Sequence, residues 1–223
     1  MDKIIDLHCD FYEQINTNSS LMKELEQEGV KILQGFNQNI HLVRRFYDKY
    51  YSENNGNRIV LCGINPGLKG AGKTGIPFID YAAASQLLPN IQGETWEDSS
   101  KFIFSVIEEI GVQKFFENVY VTNISWFGFR KGNINFNYHE FPSHLSDMFT
   151  ACFIEEMRIV KPKVVIPLGK EVEKTLKEMI KNKRLNCNIA SRMNHPRWCS
   201  IRIDERPQEY KQKYSFTIKS YME

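Results

Sequence analysis

The feature that most constrains the fold is a short apolar run that opens directly into a glycine-rich segment. Ile59-Val60-Leu61-Cys62 is rich in β-branched side chains, which predicts a buried strand. The residues from Gly63 to Gly75 include five glycines, an asparagine and a proline, too many for a regular element. Open α/β sheets bind ligands beyond the carboxyl ends of their strands. We therefore expect this loop to border a ligand site.

Further apolar runs at residues 119–123 and 164–168 are predicted strands, and a shorter fourth strand is predicted at 186–191. Helical patterns alternate with these runs, which is typical of a parallel sheet with helices on both faces. We predict an α/β fold with a central parallel four-stranded sheet. No linker or repeat divides the chain, so residues 1–223 are predicted to form one domain.

The two ends of the chain are predicted from weaker patterns. Apolar residues at helical spacing predict helices over residues 8–52, with a break near 16–20, so residues 1–52 form a helical N-terminal part. Residues 192–205 are predicted to be a loop. A last helix is predicted to begin at Pro207 and to end near Tyr221.

Composition excludes several classes of protein. With 42% apolar and 25% charged residues, the 223-residue chain has the values of a globular protein. No apolar run reaches the about 18 residues of a membrane span, and the N-terminus lacks a signal-peptide pattern, so we expect a cytoplasmic protein. Five scattered cysteines never form CxxC. Because metal sites need clustered ligands, we expect no metal and no cofactor.

The charge is distributed unevenly along the chain. Residues 1–160 carry 14 Lys/Arg and 20 Asp/Glu, whereas residues 161–223 carry 15 and 7, within a net charge of +2. Such an asymmetry is typical of a surface that faces a polyanion. Much of the positive charge falls on one predicted helix at 170–184, where a solvated face is the simpler interpretation. Charge alone leaves both interpretations open.

One motif indicates a nucleotide site. Gly67–Thr74 matches the phosphate-binding loop G-x-x-x-x-G-K-[ST], in which Lys73 would contact phosphate oxygens and Thr74 would hold magnesium. Gly75 and Pro77 stand where the helix after such a loop should begin. In addition, no predicted strand ends in an acid that could anchor the magnesium ion. A phosphate-loop hydrolase is therefore an alternative and not the main hypothesis.

Polar side chains follow three of the predicted strands. Asn65 follows the first strand, Asn123 ends the second, and His195 follows the fourth. Because the carboxyl ends of parallel strands meet at one edge, we expect these side chains to converge. Two carboxamides and an imidazole, with no carboxylate, suit recognition of an amide-like heterocycle better than phosphoryl transfer.

Four motifs occur in a fixed order: Gly63-Ile64-Asn65-Pro66-Gly67, Thr74-Gly75-Ile76-Pro77-Phe78, Val121-Thr122-Asn123 and His195-Pro196-Arg197. Over about residues 40–215 the chain resembles the uracil-DNA glycosylase superfamily, and most of all the second, bacterial branch of the single-strand-selective monofunctional uracil-DNA glycosylases. The resemblance implies a monofunctional hydrolase that removes uracil from single- or double-stranded DNA and so initiates base-excision repair. Removal of other deaminated or 5-substituted bases stays open. We expect a monomer.

The resemblance also implies a role for individual residues. Asn65 would position the attacking water and His195 would stabilise the departing base, which leaves as an anion. Asn123 would read the base by accepting from uracil N3–H and donating to O4, a pattern that cytosine does not match. Phe78 would stack on the base once it has left the duplex.

Three glycines and three larger residues complete the predicted site. The glycines that let the backbone approach the base are Gly63, Gly67 and Gly75, and the predicted DNA contacts are Lys73, Arg197 and Trp198. The late motif is two residues shorter than the His-Pro-Ser-Pro-Arg of the family, so the residue that wedges into the duplex is not identified. A nucleic-acid-binding module without catalysis is the second alternative.

Overall fold

The computed structural model describes residues 2–52, 56–201 and 205–222. In these ranges the helices are α1 (Asp2–Thr17), α2 (Ser19–Gln27), α3 (Gly35–Gln38), α4 (Ile40–Tyr51), α5 (Ala71–Thr74), α6 (Tyr81–Leu87), α7 (Asp98–Ile110), α8 (Val112–Asn118), α9 (Ser143–Val160), α10 (Lys170–Lys181), α11 (Pro196–Ser200) and α12 (Arg206–Met222). The strands are β1 (Val30–Ile32), β2 (Ile59–Gly63), β3 (Val119–Asn123), β4 (Phe129–Lys131), β5 (Ile134–Phe136) and β6 (Val164–Pro167).

A parallel sheet forms the centre of the fold, with the strand order β3-β2-β6. Every residue of these three strands is buried, which explains why they read as continuous apolar runs and not as alternating ones. The register pairs Ile59 with Val119 and Val164 at one end, and Gly63 with Asn123 at the other. The glycine-rich loop and Asn123 therefore leave the sheet at the same edge.

The sheet has three strands, so the prediction of four strands was wrong. The segment predicted as the fourth strand, residues 186–191, does lie beside β6, but it makes only one isolated bridge, from Ile189 to Val165; a second bridge, from Met193 to Leu168, lies beyond the predicted strand. Four residue steps separate Ile189 from Met193, whereas three separate their partners. This extra residue interrupts the ladder, because a continuous strand needs a constant register.

A second sheet was missed by the sequence analysis. β1, β4 and β5 form an antiparallel sheet in the order β1-β4-β5, and β4 and β5 are joined by a tight turn at Gly132 and Asn133. Each strand has only three residues, which is too short for a periodic pattern. The prediction of helices over residues 8–52, with a break near 16–20, was therefore wrong at Val30–Ile32, where β1 pairs with β4.

Helices pack around the central sheet. α12 contacts β2 and α10 contacts β6, while α7 packs against both α11 and α12. α11 lies within the predicted loop 192–205, so that prediction was wrong at Pro196–Ser200; residues 202–204 lie outside the described ranges. The N-terminal helix α1 packs on α9. Among the helices described, none is long and apolar enough to span a membrane.

Candidate active site

A cleft of about 360 Å³ opens where the parallel strands end. Six residues singled out from the sequence line it: Asn65, Gly67, Phe78, Asn123, His195 and Arg197. They come from segments far apart in the chain, which the sheet brings to one edge. This convergence agrees with the expectation for the carboxyl end of a parallel sheet. The volume is in the range of pockets that hold one small ring-shaped ligand.

Asn65 is held in one orientation by the segment that follows β5. Its Oδ1 accepts a hydrogen bond from the backbone N–H of Tyr138 at 3.2 Å, and its Nδ2 donates to the carbonyls of Pro66 at 3.3 Å and Phe136 at 3.5 Å. Because a backbone N–H can only donate, it identifies the carbonyl end of the Asn65 side chain. A carbonyl oxygen accepts two hydrogen bonds, so Oδ1 retains one lone pair for a water molecule in the cleft.

Gly63 leaves the space in which Asn123 and Phe78 meet. A Cβ at Gly63 would lie 2.3 Å from Asn123 Oδ1 and 2.5 Å from Phe78 Cζ, far inside van der Waals contact. Asn123 is buried, and no hydrogen bond joins its carboxamide to another described residue. Buried amides normally have partners. The free amide beside an aromatic ring is therefore available to a ligand in the cleft.

Phe78 adopts a backbone conformation that is rare for its residue type. Its φ is +60°, in the left-handed region, at the third position of a turn closed by a hydrogen bond from Ile79 N to the Ile76 carbonyl at 3.1 Å. Glycine usually fills this position after proline, and another residue there costs of order 1–3 kcal/mol. The hydroxyl of Thr74 holds the turn by donating to the Ile79 carbonyl and accepting from Ile76 N. The turn thereby aims the Phe78 ring at the space beside Gly63.

His195 has a defined tautomer. As the N-cap of α11, its Nδ1 accepts a hydrogen bond from the backbone N–H of Arg197 at 3.2 Å. Burial, with the nearby Arg197 charge as the second cause, lowers the pKa of His195 below its ordinary value, which favours the neutral ring. A neutral ring whose Nδ1 accepts must carry its proton on Nε2. The cleft is thus supplied with an N–H donor that bears no charge.

Four polar residues of the cleft were missed by the sequence analysis: Glu97, Ser99, Asn135 and Asn137. Glu97 is the N-cap of α7, and its carboxylate accepts from Ser99 Oγ and the Ser100 N–H, so the expectation of a site without a carboxylate was wrong. Asn135 Oδ1 accepts from the Leu68 N–H at 2.9 Å and so ties β5 to the glycine-rich loop. The Ser/Glu-rich start of a helix was the only signal for Glu97.

Four of the predicted site residues do not line the cleft: Gly63, which lies behind Asn123 and Phe78 as described above, and Gly75, Lys73 and Trp198. A Cβ at Gly75 would lie 2.4 Å from Phe36 Cα, so this glycine permits close packing on α3. Lys73 is exposed, and its carbonyl accepts from Asn39. Trp198 is 41% exposed on α11, where the Arg206 guanidinium lies 4.3 Å from its ring centroid. Their predicted roles stay predictions.

The segment that matches the phosphate-loop pattern is engaged in its own folding. The backbone N–H of Gly72 donates to the Gly67 carbonyl and that of Lys73 to the Gly70 carbonyl, so these amides do not point at a common anion. Thr74 is fully buried and both its hydrogen bonds stay within the turn. These contacts do not favour the nucleotide-hydrolase alternative. No group of three or more His, Cys, Asp or Glu in the described ranges could hold a metal ion.

Comparisons with known proteins agree with the geometry. The sequence profile of the uracil-DNA glycosylase superfamily matches residues 50–218. The fold is similar to the crystal structure of wild-type SMUG2 from Pedobacter heparinus, with a TM-score of 0.72 and 29% sequence identity over 86% of this chain and 88% of that chain. No curated protein sequence was found to match. The predicted resemblance to this superfamily is thereby confirmed.

Proposed function

The chain belongs to the uracil-DNA glycosylase superfamily, and from this membership and the cleft we propose that it is a monofunctional glycosylase that hydrolyses the bond between uracil and deoxyribose in DNA. The observation on which the proposal rests is that Asn65, Phe78, Asn123 and His195 line one cleft. The expected product is an abasic site, the substrate of the later steps of base-excision repair.

The leaving base determines the role of His195. When the N1–C1′ bond breaks, its electron pair goes to the base, and the negative charge of the uracil anion is shared by O2 and O4. The Nε2–H of neutral His195 is proposed to donate to O2, since its Nδ1 is occupied by the Arg197 N–H. One such donor typically contributes about 3–4 kcal/mol to the transition state. The lowered pKa favours the neutral ring at neutral pH, and the hydrogen bond from the Arg197 N–H to Nδ1 keeps the proton on Nε2.

The sugar that remains is cationic in character and needs only a positioned water. Asn65 is proposed to supply the position through the free lone pair of Oδ1, because its amide is already oriented by Tyr138 and Phe136. The water oxygen adds to C1′ and its proton is lost to solvent. No lysine lines the cleft among the described residues. We therefore expect no Schiff base and no strand cleavage by β-elimination.

Selectivity for uracil is assigned to Asn123 and Phe78. The unpartnered carboxamide of Asn123 can accept from N3–H and donate to O4, whereas cytosine presents the opposite groups. A mismatched buried polar group costs about 1–3 kcal/mol. Phe78, held beside Asn123, offers a face on which the extruded ring stacks. Contacts from Lys73, Arg197 and Trp198 to the DNA backbone are part of the same proposal.

The test is to incubate the protein with a uracil-containing single-stranded oligonucleotide, and with its duplex, in the presence of EDTA. Heating in alkali then converts abasic sites to strand breaks, and breaks only after alkali are the expected result. Lys73→Ala separates the alternatives, since it is expected to weaken glycosylase activity modestly but to abolish any nucleotide hydrolysis. Oligonucleotide binding with no abasic sites on either substrate would instead support the non-catalytic module.

A further inference from the structure

A buried polar cluster lies next to Asn123, on the other side of β3, and the steps described above do not use it. The cluster consists of His8, Tyr120, Thr122, Trp126 and Glu156. All five side chains are buried, and Glu156 has no exposed surface. A buried carboxylate is costly unless hydrogen bonds compensate for its lost hydration. Burial of Glu156 therefore costs free energy of folding, which the hydrogen bonds of the cluster offset.

Thr122 is fixed from two directions within this cluster. Its Oγ1 donates to Glu156 Oε1 at 2.7 Å and accepts from Trp126 Nε1 at 2.9 Å. Tyr120, two residues earlier on the same face of β3, donates to the same carboxylate oxygen at 2.8 Å. The end of β3 is thus anchored to α9 by two hydroxyl groups. Trp126, three residues after the end of β3, adds a third hydrogen bond, from its indole N–H to Thr122.

His8 of the N-terminal helix completes the cluster. Its ring is stacked on Trp126, with a centroid distance of 3.6 Å and an interplanar angle of 8°, and its Nε2 lies 3.4 Å from Glu156 Oε2. Burial lowers the pKa of His8. Helix α1 lies outside residues 50–218, the part of the chain that matches the superfamily profile. Through Trp126 and Glu156, His8 therefore connects helix α1 to β3, the strand that carries Asn123.

The carboxamide of Asn123 has no side-chain partner that would fix its orientation, although the backbone at the end of β3 is paired with β2. No described residue hydrogen-bonds its carboxamide, so its orientation is determined by the backbone of β3 and by packing against Phe78 and Gly63. Thr122 is its immediate neighbour. A loosened Thr122 would let the strand end shift, and a shift of the amide would weaken its hydrogen bonds to a base while leaving stacking on Phe78 in place.

We propose that His8, Glu156 and Thr122 are positioning residues that hold Asn123 in the orientation in which it reads uracil. The inference rests on the proposed function, because it assigns to N-terminal helix α1 a part in base recognition at that same cleft. It predicts a specific defect. Loss of the cluster weakens recognition of the N3–H and O4 edge, and not binding of the ring as such.

The test compares inhibition of the wild-type protein and its variants by free uracil and by 3-methyluracil, which lacks the N3–H. Thr122→Val removes the hydroxyl at nearly constant volume, and Thr122→Ser retains it. We expect Thr122→Val to weaken inhibition by uracil about tenfold, as for a lost buried hydrogen bond, with inhibition by 3-methyluracil unchanged. Thr122→Ser is expected to keep the wild-type selectivity ratio, defined as the inhibition constant for 3-methyluracil divided by that for uracil.

His8→Phe extends the test to α1, because it keeps a ring on Trp126 and removes the nitrogen near Glu156. Like Thr122→Val, it is expected to lower the selectivity ratio, because uracil inhibits less well while 3-methyluracil inhibits as before. Ile15→Ala, a buried position two turns further along α1, is the matched control and should lower the melting temperature without changing the ratio. If Thr122→Val does not fold, Tyr120→Phe replaces it and should shift the ratio in the same direction.

The outcomes separate this inference from the proposed function. If the wild-type protein removes uracil from DNA but folded Thr122→Val and His8→Phe keep the wild-type ratio, the positioning role is overturned while the glycosylase assignment stands. If the ratio falls equally in Ile15→Ala, the effect is one of general stability and the inference is also overturned. If the wild-type protein neither releases nor binds uracil, the proposed function itself fails.

Discussion

At the scale of single residues, Gly63 shows how one missing side chain allows the site to form. The strand register places it beside Asn123, and the turn that holds Phe78 in a left-handed conformation brings the ring to the same point. The two proposed contributions to base recognition, from Asn123 and Phe78, therefore depend on a volume of about one methyl group. This crowding leads to a prediction that is independent of catalysis.

Gly63→Ala is expected to abolish detectable inhibition by free uracil, because the new Cβ would lie 2.3 Å from Asn123 Oδ1 and must displace it. Gly67→Ala is the comparison, since its Cβ would meet only Asn135 Nδ2, at an ordinary 3.5 Å. Its effect on inhibition should be much smaller. Equal losses in both variants would contradict the role assigned to Gly63.

The protonation of His195 predicts the pH dependence of the reaction. Since burial and Arg197 lower its pKa, the neutral ring persists below the ordinary value of 6.5, and protonation at lower pH disrupts the bond from the Arg197 N–H. We expect kcat/KM to be constant near neutral pH and to fall at lower pH, with an inflection below pH 6.5. Arg197→Gln removes one cause of the shift and should move the inflection to higher pH. An inflection above pH 6.5 in the wild-type protein would contradict this.

At the scale of elements, the buried strands of the parallel sheet could be predicted from the sequence, whereas the three-residue strands could not. The three buried strands were readable as apolar runs, so Asn65 and Asn123 could be placed at one edge before any coordinates were known. β4 and β5 were not readable, because three-residue strands have no measurable period. Asn135 and Asn137, which lie on or after β5, were missed for the same reason.

Helix α11 was also missed, and its start shows why. It has only five residues and begins with Pro196, which is compatible with a loop or with a first helical turn. The decisive interaction is the His195 side chain acting as the cap, and histidine is not among the usual N-cap residues. Sequence reasoning found the residue through its motif, but could not find the tautomer that the cap imposes.

The cap can be separated from catalysis by choosing the replacement at His195. Asparagine is a good N-cap, so His195→Asn should preserve α11 and the melting temperature while removing the Nε2–H donor. We expect kcat to fall by about 10²–10³, with affinity for a uracil-containing oligonucleotide nearly unchanged. His195→Ala removes both functions. A His195→Asn variant with wild-type kcat would exclude the histidine as the donor to the leaving base.

At the scale of the whole molecule, the α/β fold and the superfamily were both predicted, whereas the number of strands in the parallel sheet was not. The error came from the segment beside β6 near Ile189 and Met193. One more residue separates these two than separates their partners, which interrupts the pairing, and the apolar composition of the segment does not reveal this. The one-domain organisation stays a prediction. The N-terminal part, predicted only as helical, contributes β1 to the second sheet and His8 to the cluster beside Asn123.

The charge asymmetry of the chain predicts salt-dependent binding. The segment after residue 160 is strongly basic, and Arg197 is exposed at the cleft. Affinity for a single-stranded oligonucleotide should fall linearly on a log–log plot against salt, and Arg197→Gln should reduce the slope by about 0.7. Lys23→Gln, an exposed position on α2 in the acidic half, should leave the slope unchanged. Equal slopes for all three proteins would place Arg197 outside the DNA-binding surface.

The central claim is that one flat heterocycle is held between Phe78, Asn123 and His195, and a crystal structure of the protein with free uracil tests it most directly. We predict the ring stacked on Phe78, with N3 and O4 at the Asn123 carboxamide and O2 within hydrogen-bond distance of His195 Nε2. Uracil bound elsewhere, or bound in the cleft without contacting Asn123 and His195, would contradict the account.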